Sequence, residues 1–180
     1  MLNNKTAIIS TFVFITVSFM LYLFFTVKAN SSFVGFHSLN FNLEFFVLFF
    51  VSLIVPILIA LLFFIVFPKK SLYFEPIKEI AFKNSLSFLF VFFLANAVAE
   101  ELLFRGVLQE NFGLLLASIA FVLAHIAYYK KPILLLEVFL QGLFLGLLYE
   151  FSKSLMLCIL SHTFFNFFIV FIIKRKILVY

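Results

Sequence analysis

The chain has very little of what a water-facing surface needs. Only 12% of its 180 residues are charged and 66% are hydrophobic, with a mean hydropathy of +1.25. A soluble domain carries about 25% charged residues, so too few polar groups exist here to cover one. The single cysteine, Cys158, excludes an intramolecular disulfide and reads as a small packing residue within an apolar run. A glycine-rich phosphate loop, a cysteine pattern suited to zinc and an HExxH pair are all missing. Tryptophan is absent while phenylalanine occurs 32 times. A codon bias toward AT-rich triplets accounts for that, with Phe replacing Leu as lipid-facing bulk.

What is present is a series of long apolar runs. A spanning helix needs roughly 20 mostly apolar residues. Six segments qualify: 6–27, 43–67, 84–104, 113–129, 133–149 and 154–173. The first is too long for the 7–15-residue core of a signal peptide. The expectation is an all-α, polytopic transmembrane bundle forming one membrane domain over 1–180. Within it, 1–80 supplies two spanning helices and a cytoplasmic loop, and 81–170 a core.

With six spans, ten of the thirteen cations fall on the side shared by both termini: Lys5, Lys69, Lys70, Lys78, Lys83, Lys130, Lys131, Lys174, Arg175 and Lys176. The positive-inside rule then puts both termini in the cytoplasm. Cations scattered between apolar runs also argue against nucleic acid as a partner, despite a net charge of +5. The lipid bilayer is the expected partner, and oligomeric state is left open. Pro76 marks the start of a short interfacial helix in the second loop. Residues 28–42, with His37, read as an exposed connection.

The polar residues left inside these runs are Asn96, Glu100, Glu101, Arg105, His125, Glu137, Gln141, His162 and Asn166. Ionisable groups at membrane depth are costly and therefore mark function by default. Glu101 and Arg105, four apart, can pair on one helix face. Glu100 points about 100° away on an ideal helix and is left free. His162 and Asn166 share a face of the last span. Taking the turn at Gly113, Glu100 and His125 lie equally far along the two arms of a hairpin, roughly 19 Å from it. A carboxylate and an imidazole can thus face each other. Glu137 and Gln141 read as packing or interface groups.

These residues resemble a known set. "EELLFRG" is similar to the EExxxR motif of the CAAX-protease and bacteriocin-processing family (CPBP, also called ABI) of intramembrane glutamic proteases. "FVLAH" resembles its FxxxH motif and "HTFFN" its HxxxN motif. Gly142 and Gly146 resemble its Gly-xxx-Gly helix, which permits close packing. The resemblance covers 97–166. It implies an endopeptidase acting near the cytoplasmic face, with Glu100 and His125 activating water and His162 and Asn166 stabilising the oxyanion. Glu101 and Arg105 would support the helix. Two histidines and a glutamate could in principle ligate zinc, but the resemblance implies a metal-independent enzyme without a cofactor. The implied substrate is a peptide or membrane protein, and the implied setting a bacterial inner membrane. The alternative is a non-enzymatic, family-like scaffold or a bacteriocin self-immunity protein.

Overall fold

In a computed structural model of the chain, residues 4–28 and 43–176 are described. The expected connection with His37 lies outside them. The described residues form helices without strands: α1 (Asn4–Lys28), α2 (Leu43–Val66), α3 (Lys69–Leu72), α4 (Glu75–Lys83) and α5 (Leu86–Glu101). A π-helical segment (Leu102–Gln109) and α6 (Glu110–Phe112) continue α5, followed by α7 (Leu114–Ala124), a 3₁₀ turn (Ile126–Tyr128), α8 (Pro132–Ser152) and α9 (Leu155–Lys174). Among the described residues, five helices are long and apolar enough to cross a membrane: α1, α2, α5 with its continuation to Phe112, α8 and α9. Their outward faces present Phe12, Phe24, Leu43, Ile65 and Phe151, an exposed apolar belt suited to lipid rather than water.

Two of the six expected spans differ from their sequence reading. The third runs to Phe112, 27 residues from Leu86, instead of ending at 104. The fourth is only 11 residues long, about 16 Å. The cause lies at His125. The Phe121 carbonyl would ordinarily accept the His125 N–H to extend the helix. Instead it accepts from the His125 ring Nδ1 at 2.8 Å, and the His125 N–H turns to the Val122 carbonyl at 2.9 Å. The side chain therefore terminates its own helix. Gly113 makes the turn before α7, as expected, with φ of 83°, a conformation open to glycine.

Serines cap two of the long helices: Ser85 accepts from the Phe88 N–H and Ser154 from the Leu157 N–H. The expected interfacial helix is α4, with Pro76 in its first turn. Lys174 at the end of α9 donates to the carbonyls of Ala81 and Asn84, and Lys131 before α8 donates to the Lys70 carbonyl. The cationic segments around α3 and α4, at 130–131 and at the end of α9 thus meet at one end of the bundle.

In the interior, α5 packs against α1 and α9, while α2 packs against α8 and α9. Pro56 lies inside α2 and has no N–H to offer Ser52, four residues back. The freed Ser52 carbonyl accepts from Ser161 of α9, and the Pro56 carbonyl accepts from Gln141 of α8 at 3.0 Å. On α8, a Cβ at Gly142 would meet Phe121 at 3.0 Å. One at Gly146 would overlap Leu114 and approach Gln109 Oε1 to 3.0 Å. Gly146→Ala therefore displaces the Leu114 side chain of α7 and crowds the Gln109 amide. It should lower stability by about 1–3 kcal/mol, read as a fall in unfolding temperature in detergent.

Candidate functional site

The polar interior is built on the π segment. A π-helix takes more residues per turn than an α-helix, so Arg105 does not stack squarely over Glu101. Its guanidinium reaches two partners. Nε lies 3.2 Å from Glu101 Oε2, and Nη2 donates to the Gly142 carbonyl at 3.1 Å. One turn on, Gln109 donates to the Gly146 carbonyl at 2.9 Å. Both carbonyls are approachable because glycine presents no side chain in the way. Glu101 and Arg105 are completely buried, and the guanidinium also lies 5.1 Å from the centre of the Phe121 ring.

Glu101 does more than neutralise Arg105. Its other oxygen, Oε1, is 2.8 Å from His162 Nδ1 on α9. A carboxylate paired with arginine is an acceptor, so Nδ1 carries the hydrogen and His162 is held in one orientation. Its Nε2 faces Glu100 Oε2 at 3.8 Å. Glu100 and Glu101 therefore flank one imidazole from its two nitrogens. Glu100 Oε2 is buried without a hydrogen-bond partner.

Glu100 and His125 line one cavity of about 280 Å³, as do His162 and Asn166. Among the described residues, no hydrogen bond or ion pair joins Glu100 directly to His125; its contact is with His162. The His125 Nδ1–H is committed to the Phe121 carbonyl, which leaves Nε2 as a proton acceptor. Phe121 stands between the histidines, its ring centre 4.7 Å from that of His125 and 5.9 Å from that of His162. The Asn166 amide has no hydrogen-bond partner among the described residues. Asn96, though one turn before Glu100, spends its amide on the Phe92 carbonyl. Among the described residues, no three His, Cys, Asp or Glu side chains gather to hold a metal ion.

The cavity also reaches groups that the sequence left aside. Glu137 and Gln141, which read as packing residues, line it, as do Tyr128 and Lys78. The i,i+4 spacing of Glu137 and Gln141 is the signal that singled out His162 and Asn166, and it could have been applied to α8. Lys78 lies on α4, so the cavity runs from Glu100 toward the cationic end. Glu100, seventeen residues beyond Lys83 in sequence, thus shares a cavity with a residue of the cationic end.

Apolar helices of membrane length around a cavity that holds acid, imidazole and amide groups define a polytopic membrane protein with an internal site. Residues 82–168 match the family model described as Rce1-like, type II CAAX prenyl endopeptidase. This segment, which includes all of Glu100, Glu101, Arg105, His125, His162 and Asn166, is similar to that family. Over 85 residues it is 39% identical to an uncharacterized protein, YpbD, of Bacillus subtilis (strain 168). The aligned region is 47% of this chain and 45% of that protein, so the chain spans about half the length of the curated relative it matches. No solved structure matches.

Removing one member of a buried ion pair leaves the other charge uncompensated. Arg105→Met should destabilise the protein by about 3–5 kcal/mol. Adding Glu101→Leu should restore most of that loss. Unfolding curves of the single and double variants in one detergent provide the check.

Proposed function

We propose that the protein is an intramembrane endopeptidase of the glutamic, metal-independent type. The observation that carries this reading is the buried Oε2 of Glu100, without a hydrogen-bond donor, on a cavity also lined by His125, His162 and Asn166. A carboxylate oxygen without a donor, in a space with two imidazoles, suits a water molecule held for attack. Glu100 would take a proton from that water while its oxygen adds to the peptide carbonyl carbon. His125 Nε2 would accept the water's second hydrogen bond and orient it. The proton held on Glu100 would then pass to the leaving amine as the C–N bond breaks.

Asn166 and His162 would donate to the oxyanion. Because Glu101 holds the His162 Nδ1–H, donation from Nε2 requires that the ring carry both hydrogens. Glu101, fixed by Arg105, would compensate that charge. The substrate would be a peptide or membrane protein entering from the end that carries Lys78, and that end would face the cytoplasm of a bacterial cell. The clustering of Lys70, Lys131 and Lys174 at one end supports that orientation.

Glu100→Gln and His125→Ala should abolish cleavage, and Asn166→Ala should slow it about 10²–10³-fold, with each variant still inserted. Substrates are found by comparing the peptides of cells carrying wild type and Glu100→Gln, then assayed with purified protein in liposomes. Undiminished cleavage by both Glu100→Gln and His125→Ala sinks the assignment. A phenotype that persists in Glu100→Gln cells favours the scaffold or immunity alternative. A reporter fused at Tyr180 should be active in the cytoplasm; activity only outside the cell reverses the proposed topology.

A further inference from the structure

Glu137 is a second acid on the wall of the same cavity, and the proposed chemistry does not use it. Among the described residues its carboxylate has no hydrogen bond and no ion pair. Other acids do better: Glu79 pairs with Lys83, Glu150 with Lys153, and Glu101 with Arg105. Gln141, one turn along α8, spends its amide on the Pro56 carbonyl and offers Glu137 nothing. The cavity's own cation is engaged elsewhere. Lys78 Nζ donates to the Tyr73 hydroxyl at 3.3 Å and lies 5.3 Å from the centre of that ring.

Tyr128 lines the same cavity as Glu137 and Glu100, and its hydroxyl is within electrostatic reach of both carboxylates. Its ring is fixed by an edge contact with Phe74, centres 4.6 Å apart, and by near-parallel packing with His125 at 5.9 Å. An aromatic ring and an uncompensated carboxylate lining one cavity are a setting that holds an ammonium or guanidinium group. Burial from water makes such a carboxylate costly until a cation meets it.

We propose that Glu137 and Tyr128 form a specificity subsite for a basic side chain, lysine or arginine, of the bound peptide. Because Tyr128 is in reach of Glu100 as well, the basic residue lies close in sequence to the bond being cleaved. Apart from Tyr73 and Lys78, which are paired with each other, the walls at this end, among them Phe74, Leu134 and Val138, are apolar. The subsite therefore reads as one charge set in an otherwise hydrophobic recognition sequence.

The inference rests on reading the cavity as the seat of a peptide. Its test measures binding, so that it does not depend on turnover. Glu100→Gln protein in nanodiscs is titrated with two fluorescent heptapeptide pools. Both are apolar mixtures that differ only in a central lysine or a central norleucine. The lysine pool should bind at least about tenfold tighter, equivalent to about 1.4 kcal/mol. Adding Glu137→Gln should erase the difference while leaving norleucine binding unchanged. Equal binding of the pools to Glu100→Gln protein, or a preference that survives Glu137→Gln, overturns the proposal, and so does failure of both pools to bind.

A second measurement needs no change at Glu137. n-Butylguanidinium should displace the lysine pool from Glu100→Gln protein at concentrations that leave the norleucine pool bound, and equal displacement of both is a negative result. A lysine preference in a protein whose wild type cleaves no peptide would leave the subsite standing and remove the protease reading.

Discussion

The guanidinium of Arg105 is the constraint around which the interior is arranged. A fixed positive charge with no exposed surface must be surrounded by acceptors, and each of them commits a different helix. Glu101 commits the preceding turn. The Gly142 carbonyl commits α8, packed so closely that a Cβ there would meet the Phe121 ring at 3.0 Å. Phe121 of α7 covers the remaining face. Glu101 then passes the constraint on, because its second oxygen fixes the imidazole of His162 on α9. One cation thus orders elements from four stretches of the chain, and the orientation of a proposed oxyanion donor is an indirect consequence of it.

The same chain of contacts explains why the sequence was a good guide to the helices and a poorer one to the pairing inside them. Spans, the turn at Gly113 and the helix after Phe74 follow from local composition, so they are legible residue by residue. The facing of Glu100 and His125 was inferred from equal counts along two regular arms. Neither arm is regular. A π segment begins one residue past Glu101 and changes the rise and phase of the arm between the acid and the turn. The other arm ends at His125 because the ring takes the carbonyl that its own backbone would have used. Both residues reach the cavity, but the imidazole in contact with Glu100 comes from α9, which no count along the hairpin could supply.

Glu137 was hidden for a different reason. An acid within an apolar helix has the same spacing signature whether it meets a neighbour's donor or an open space. Only the packing of α2, α7 and α8 around it decides, and that depends on contacts between residues as far apart as Pro56 and Gln141. The motifs that resemble a known family contain Glu100, His125, His162 and Asn166, and Glu137 lies outside every one of them.

The proline in α2 has an effect reaching past its own helix. By leaving the Ser52 carbonyl unclaimed, Pro56 lets α2 bond to Ser161, the residue next to His162, while Pro56 itself and Phe64 form part of the cavity wall. Yet α2 lies wholly outside residues 82–168, the stretch matched to the family. The cavity is thus walled from two parts of the chain: Glu100, His125, His162 and Asn166 come from within the matched stretch, and Pro56 and Phe64 from outside it. A proline that breaks one hydrogen bond of its own helix thereby sets the distance between that outer wall and the helix that carries His162.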